Sequence, residues 1–229
     1  MTGGTVKSRA FALVYEDDDV IVVDKAAGVL TVPTLRRERV TLVDEVSRYL
    51  SRGPRITKQA IIVHRLDRET GGLVVFGKSQ RAADVLMQRW SDHERRYAAL
   101  VAGVVVKDSG TINTRLVTDD RNLDRRSSHD GSGEEAITHF SVVTRVDGAT
   151  LLDVVLETGR RNQIRVHLAE QRHPILGDDR YGGLGRHRRW DDRHLGLQAR
   201  TLSFPQPRTG APLSFELALP ATFQRFLKR

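Results

Sequence analysis

Residues 61–77, IIVHRLDRETGGLVVFG, set a charged loop between two short apolar runs. Apolar runs this short, bounded by charged and turn-forming residues, read as buried strands. The loop carries His64, Arg65, Asp67, Arg68 and Glu69 ahead of the pair Gly71–Gly72. Core strands on both sides would fix such a loop on rigid elements, and the glycines permit close backbone approach or dihedrals closed to other residues. A carboxylate flanked by Arg65 and Arg68 is kept ionised, which suits a nucleophile or a base and does not suit a proton donor. An Arg-Leu-Asp-Arg string at a strand end is, by itself, also what a surface ion-pair cluster or a loop cap looks like. The glycines and the flanking strands move the weight toward a site.

The rest of the chain is β-rich. FALVYEDDDVIVVDKAAG, 11–28, reads as two short strands around the acidic turn Glu16–Asp19. Thr41 caps a helix with Leu42, Val43, Val46, Tyr49 and Leu50 on one face, stopped by Gly53-Pro54. Ser79 caps a second helix that uses Ala82, Ala83, Leu86 and Trp90. Residues 97–105 are strand-like, and 118–135 read as a long exposed loop for want of apolar periodicity. Strand patterns return at 136–146 and 151–157, followed by Gly159 and the short helical pattern NQIRVHLAEQ. A second charged loop fills 178–194, before strands near 197–204 and 213–219 and a terminal helix. Strands outnumber helices and few are spaced as βαβ units. The expected architecture is therefore α+β, one domain over 11–229 with a central, mainly antiparallel mixed sheet, flanking helices and loops, and a cleft on one face. Residues 1–10 are expected to be a flexible N-terminus.

Composition bounds the function. With 229 residues, 39% hydrophobic and 29% charged, the chain can build one substantial core or two small domains. No run approaches the roughly 18 apolar residues of a membrane span, and MTGGTVKSRA lacks an apolar signal core, so a cytoplasmic protein with no membrane partner is expected. There is no cysteine, which excludes disulfides and thiolate metal sites. A net charge of +8 and a pI near 10.3 point to an anionic partner, most simply nucleic acid. Arginine supplies 31 of the 37 basic residues. It suits bidentate phosphate contacts and base stacking, although codon bias would produce the same enrichment. His187, Asp191, Asp192 and His194 match no zinc or iron spacing, and the arginines among them oppose a cation. HRLD has the wrong order for a kinase catalytic loop, and no Gly-rich loop precedes it.

A second cationic stretch, LETGRRNQIRVHLAEQRHPILGDDRYG, 156–182, gathers Arg160, Arg161 and Arg165 around a helix start, where backbone amides and guanidinium groups together suit an anion. Ile164 and Leu168 fall on one helix face with Arg165 between them in sequence, so Arg165 is expected along the edge of the core. A buried arginine needs a carboxylate, and Asp67 is the obvious candidate though not the only one.

Taken together, these segments resemble the RluA-type family of RNA pseudouridine synthases. HRLDRETGGLVVFGKS matches its central motif, VIVVDKAAG its first and ETGRRNQIRVHLAEQRHPILGD its third, while RYAALVAG resembles the segment that carries an active-site tyrosine. LQARTLSFPQPRTGAPLSFELALP follows the pattern of the tail, so the match runs in order from about residue 11 to 223. Departures occur at Ala26, where proline is usual, at Gly71, where serine is common, and at Asn162 and Gln198, where histidine is frequent. They bear on substrate preference. Many relatives carry an N-terminal S4 domain; with the first motif starting by residue 20, none is expected here.

The resemblance implies a pseudouridine synthase catalytic domain that isomerises a uridine in a stem-loop of structured ribosomal or transfer RNA. The target base must leave its stack to be reached. Asp67, Tyr97 and Arg165 are the implied catalytic residues: Asp67 acts on the nucleotide, Tyr97 stacks on the uracil and removes the C5 proton, and Arg165 keeps Asp67 charged and oriented. Arg65 is implied either to take the place of the flipped base or to support the extruded nucleotide. The implied substrate-binding set is His64, Arg65, Leu66, Arg68, Thr70, Arg160, Gln163, Ile164 and Leu168. No metal or cofactor is implied, and a monomer is expected. Two rivals remain. A non-catalytic RNA-binding module has no need of Asp67, Tyr97 and Arg165, and a metal-dependent nuclease requires several carboxylates where this stretch adds only Glu69.

Overall fold

The short apolar runs and the amphipathic segments become eleven strands and four α-helices among the described residues, an α+β architecture. The computed structural model describes residues 8–34, 40–52, 55, 57–119, 124–128, 130–182, 187, 189–190 and 194–228. Most of the expected N-terminal tail, the Gly53-Pro54 stop, parts of both charged loops, and Asp191 and Asp192 lie outside them. By its internal contacts the chain divides into two compact units, each drawn from two stretches. One runs to His93 and adds Ala199–Leu217; the other takes Glu94–Gln198 and the chain from Ala218.

The strands are β1 (Phe11–Glu16), β2 (Val20–Lys25), β3 (Ile61–Ile62), β4 (Gly71–Gly77), β5 (Glu94–Ala102), β6 (Ser109–Thr118), β7 (Arg125–Ser127), β8 (Glu134–Val146), β9 (Ala149–Leu156), β10 (Leu197–Pro205) and β11 (Pro212–Glu216). The helices are α1 (Leu42–Ser51), α2 (Gln80–Gln88), α3 (Gln163–Glu170) and α4 (Ala221–Leu227).

In the first unit the strand order is β1-β2-β4-β10, with β3 beside β4 and β11 beside β10. The acidic turn between β1 and β2 has a local cause: Asp17 Oδ1 accepts from the amides of Asp19 and Val20, each at 2.8 Å. β2 pairs antiparallel with β4, from Val20 opposite Gly77 to Lys25 opposite Gly72. Val20, Val22, Leu73 and Val75 form a core with Ala83 and Leu86 of α2 and with Leu202 and Phe204 of β10. Helix α1 starts where Thr41 donates its amide and hydroxyl to Asp44 Oδ2, at 3.1 and 2.7 Å. Ser79 Oγ caps α2 by accepting from Ala82 N at 3.2 Å. That helix stops before Trp90, contrary to the sequence reading. Trp90 lies in a following 3-10 turn and stacks on His64 with ring centroids 4.3 Å apart.

In the second unit the order is β5-β9-β8-β6-β7, and every neighbouring pair is antiparallel. β8 and β9 are joined through Asp147-Gly148, whose φ values of 35° and 75° are the double positive φ of a tight hairpin turn. Two strands escaped the sequence reading. β6 buries only Ile112 and Leu116 amid polar neighbours, too sparse an alternation to register. β7 lies inside the segment read as an exposed loop, and its first side chain, Arg125, is buried. It is held by polar partners in place of apolar packing: Leu116 O and Thr118 Oγ1 at 3.2 Å each, and Glu134 at 2.6 Å.

Helix α3 is anchored by a chain of polar groups. His167, fully buried, joins Thr138 Oγ1 at 2.9 Å through Nδ1 and Thr114 Oγ1 at 3.0 Å through Nε2. Thr138 Oγ1 also accepts from Gln163 Nε2 at 2.9 Å, and Thr114 Oγ1 accepts from Ser127 Oγ at 3.0 Å. Residues of β6, β7 and β8 thereby converge on one helix.

Two outcomes test this description. Gly72 has φ 118°, and a Cβ there would stand 2.2 Å from the Ala199 carbonyl oxygen. Gly72→Ala should therefore destabilise the protein by about 3 kcal/mol, read from the urea midpoint, because backbone strain and overpacking add. Burial pulls the His167 pKa down from 6.5 to about 4. Between those values the unfolded chain binds a proton that the folded chain refuses. Stability should then be complete above pH 6.5 and decline by up to about 3 kcal/mol as pH falls to 4. In His167→Gln that component of the acid loss should vanish in parallel urea titrations.

Candidate active site

In the first unit the loop between β3 and β4 is fastened on both sides of Asp67. Ahead of it, Thr31 Oγ1 donates to Leu66 O at 2.8 Å and accepts from Leu66 N at 3.2 Å, both bonds buried. Behind it, the Arg68 carbonyl accepts from Gly28 N at 2.8 Å and from Lys25 Nζ at 3.1 Å. Within the loop, Thr70 N donates to Asp67 O at 3.2 Å, closing a turn. The Asp67 side chain is half-buried, and Arg65 and Arg68 are exposed.

Lys25 explains how the clamp is built. Only 1% of it is exposed, and its amine also donates to Val29 O at 2.7 Å and to Ala26 O at 3.1 Å. Three carbonyls thus match the three N–H groups of an ammonium. Burial lowers the Lys25 pKa from 10.5 to about 8, against the pull of the Glu69, Asp67 and Asp24 carboxylates. The cation therefore persists at neutral pH, and the Asp67 carboxylate is among the charges that favour it. Gly28 can reach Arg68 because its φ of 88° turns the chain there at no steric cost.

Three other residues of the loop are built into the scaffold. His64 Nε2 accepts from Val75 N at 3.1 Å, which ties the loop to β4. Leu66 and Thr70 are buried.

In the second unit Tyr97 lies on β5 opposite Val154 of β9 and packs, partly buried, against a core that includes Ala99, Val154, Ile164 and Leu168. Asn162 enters α3 in the left-handed conformation, φ 57°. Arg165, expected along the edge of the core with Asp67 as the obvious carboxylate, is buried, and it has a carboxylate partner in Asp178. Arg165 Nε and Nη2 donate to the two Asp178 oxygens at 2.8 Å each. Burial pushes the Asp178 carboxyl up, but the Arg165 bonds and charge, helped by the amides of Tyr181 and Arg180, outweigh it and hold the group below the ordinary value. The Tyr181 ring lies 5.3 Å from the Arg165 guanidinium carbon.

Gln163 is buried, its amide spent on Thr138 and Ile137 O and its Oε1 on Thr158 and Arg160 N. Ile164 and Leu168 have their side chains in the core, where they pack the helix. Arg160 is exposed and donates from Nε to Glu135 O at 2.9 Å.

The structure thus gathers His64 to Thr70 with Lys25 and Thr31 in one unit, and Arg160 to Leu168 with Asp178 and Tyr181 in the other. Sequence reasoning had given no role to Lys25, Thr31, Asp178 or Tyr181. Lys25, Asp178 and Tyr181 sit in or beside segments singled out for other residues, and Thr31 carries no local signal.

A family model described as RNA pseudouridylate synthase matches residues 19–170, which include the clamped loop, Tyr97 and Arg165. The chain belongs to the RNA pseudouridine synthase family. Enzymes of this family are isomerases that convert uridine to pseudouridine in RNA. An uncharacterized RNA pseudouridine synthase of Chlorobaculum parvum is 35% identical over 239 residues, 95% of this chain and 73% of that protein. The ribosomal large subunit pseudouridine synthase D of Neisseria meningitidis is 38% identical over 224 residues, 92% of this chain and 59% of that protein. Among solved structures, human RNA pseudouridylate synthase domain containing 4 superposes with a TM-score of 0.75 at 22% identity, covering 94% of this chain and 91% of that one. This last likeness concerns the fold.

For this pseudouridine synthase the clamp has a direct test. Thr31→Val keeps the side chain's shape but deprives both Leu66 N and Leu66 O of their buried partner. The cost should be about 1–3 kcal/mol in urea unfolding, with a drop in pseudouridine formation by the protein that remains folded.

Proposed function

We propose that the enzyme isomerises a uridine within a stem-loop of structured ribosomal or transfer RNA, with Asp67 as the catalytic carboxylate. The observation that carries the reading is the fastening of Asp67 between Leu66 and Arg68 by Thr31, Gly28 and Lys25, beside a buried ammonium. A half-buried carboxylate on a loop held this firmly, beside a buried cation, suits attack or proton abstraction better than a surface ion pair. The name of the Neisseria relative, a ribosomal large subunit pseudouridine synthase, supports ribosomal RNA as the substrate class.

The reaction conserves every atom. The N1–C1′ bond of uridine breaks, the uracil turns, and C1′ bonds to C5; the C5 proton then leaves and N1 gains a proton. Asp67 has three chemically sensible targets, namely ribose C1′, its neighbouring proton, or the base. In this reading Tyr97 stacks on the uracil and takes the C5 proton, while Arg165 keeps Asp67 charged and oriented. The base is reached after leaving its stack, a step that costs on the order of a few kcal/mol. Arg65, exposed beside Asp67, takes the vacated place or supports the extruded nucleotide. The net charge of +8 supplies attraction to phosphate. The proposed enzyme works in the cytoplasm as a monomer without a metal or other cofactor.

Asp67→Asn decides the central assignment. The substitution keeps size and removes charge, so pseudouridine formation should be lost while the unfolding free energy changes by no more than about 1–2 kcal/mol. Asp67→Ala run alongside controls for asparagine deamidation. Wild-type conversion by both variants would remove Asp67 from the chemistry.

A further inference from the structure

A buried arginine with a bidentate carboxylate partner is seldom explained by stability, since a well-packed apolar pair of similar volume is often as stable or more so. Arg165 and Asp178 form such a pair, with side-chain exposures of 7% and 0%. The carboxylate is itself fixed. Asp178 Oδ1 accepts from the amides of Arg180 and Tyr181, each at 3.0 Å, so the turn 178–182 presents the carboxylate in one orientation. That turn is closed by Gly182 N donating to Asp178 O at 2.8 Å, where a Cβ on Gly182 would stand 1.9 Å from the same oxygen.

The guanidinium is covered as well as gripped. The Tyr181 ring lies over Arg165 at 5.3 Å, and the Tyr181 hydroxyl accepts from Asn162 Nδ2 and Arg125 N, both at 3.0 Å. Asn162 Oδ1 stands 3.5 Å from Arg165 Nη1. Asp178 takes the Nε–Nη2 edge, so any second anion must be met through the Nη1–Nη2 edge. A carboxylate on one edge and a ring on one face leave the plane of the guanidinium little freedom to rotate.

We infer that Asp178, with Tyr181 over the guanidinium, is a positioning residue that sets which edge of Arg165 faces the reaction. This rests on the proposed role of Arg165 toward Asp67, and it adds residues to which neither the family match nor the sequence reading gave a function. Asp178 touches no reacting atom in this scheme. It acts through Arg165.

The test uses the full chain in excess over RNA, with ribosomal and transfer RNAs of the producing organism transcribed in vitro and therefore unmodified. Under these conditions the saturating rate belongs to the folded enzyme, and a loss of folded protein raises only the apparent half-saturating concentration. For Asp178→Asn we expect the saturating rate to fall by about tenfold or more, with the half-saturating concentration changed by less than about threefold. Asp108→Asn, which breaks an exposed ion pair with Arg145, is the control and should keep the wild-type rate. If Asp178→Asn is not recovered folded, Asp178→Glu replaces it. That variant keeps the charge but displaces the carboxylate, and the same split between rate and half-saturation is expected.

A double-mutant cycle adds the second criterion. If Asp178 acts only through Arg165, then Arg165→Lys with Asp178→Asn should react within about threefold of Arg165→Lys alone, because the two losses share one cause. A wild-type saturating rate in the Asp178 variant, or penalties that multiply in the double variant, would overturn the inference and leave the proposed function standing. A wild type that forms no pseudouridine in either RNA class would overturn both.

Discussion

The buried ammonium of Lys25 is the interaction on which the candidate site depends. A lysine with 1% of its surface exposed is costly unless its three donors are all met, and here they are met by three backbone carbonyls. Two of those belong to the residues just after β2, and the third belongs to Arg68. One cation therefore ties the end of a core strand to the residue that follows Asp67. Glu69, Asp67 and Asp24 favour its charged form, so the clamp and the site's electrostatics have the same source. Thr31 completes the arrangement from the other side with a hydroxyl used as both donor and acceptor.

The second unit follows a similar logic in α3. The helix has buried residues at every position from Gln163 to Leu168, so it cannot rely on a polar face turned to solvent. Its polar side chains are satisfied individually: Gln163 and His167 on Thr138, His167 again on Thr114, Arg165 on Asp178. Such a network specifies one position of the helix more sharply than apolar contact does, because a shift of one residue would leave several buried groups unmatched. A rigid backbone under Arg165 is what the proposed orienting role of its guanidinium requires.

Where sequence reasoning and structure part, the cause is usually polar burial. Trp90 fits the apolar stripe of α2 by spacing, yet it leaves the helix and stacks on His64. Arg125 carries no apolar signal, yet it is buried in a strand inside a segment that reads as loop. In each case periodicity reported the local pattern of apolar side chains and was silent about a partner elsewhere in the chain.

The strand-bounded loop around Asp67, the caps at Thr41 and Ser79, the α+β class and the placement of Arg165 against the core were all legible in the amino-acid sequence. Each follows from local rules: apolar period, turn chemistry, or a charge set between two apolar positions. The family resemblance then attached a chemistry to those residues. The tertiary structure alone decided that Thr31 meets Leu66 across 35 positions, that Lys25 meets Arg68 across 43, and that Asp178 accepts from Nε and Nη2 of Arg165. The physical reason is that burial is encoded residue by residue, whereas the pairing of a donor with an acceptor is settled only when the strands have been brought into register.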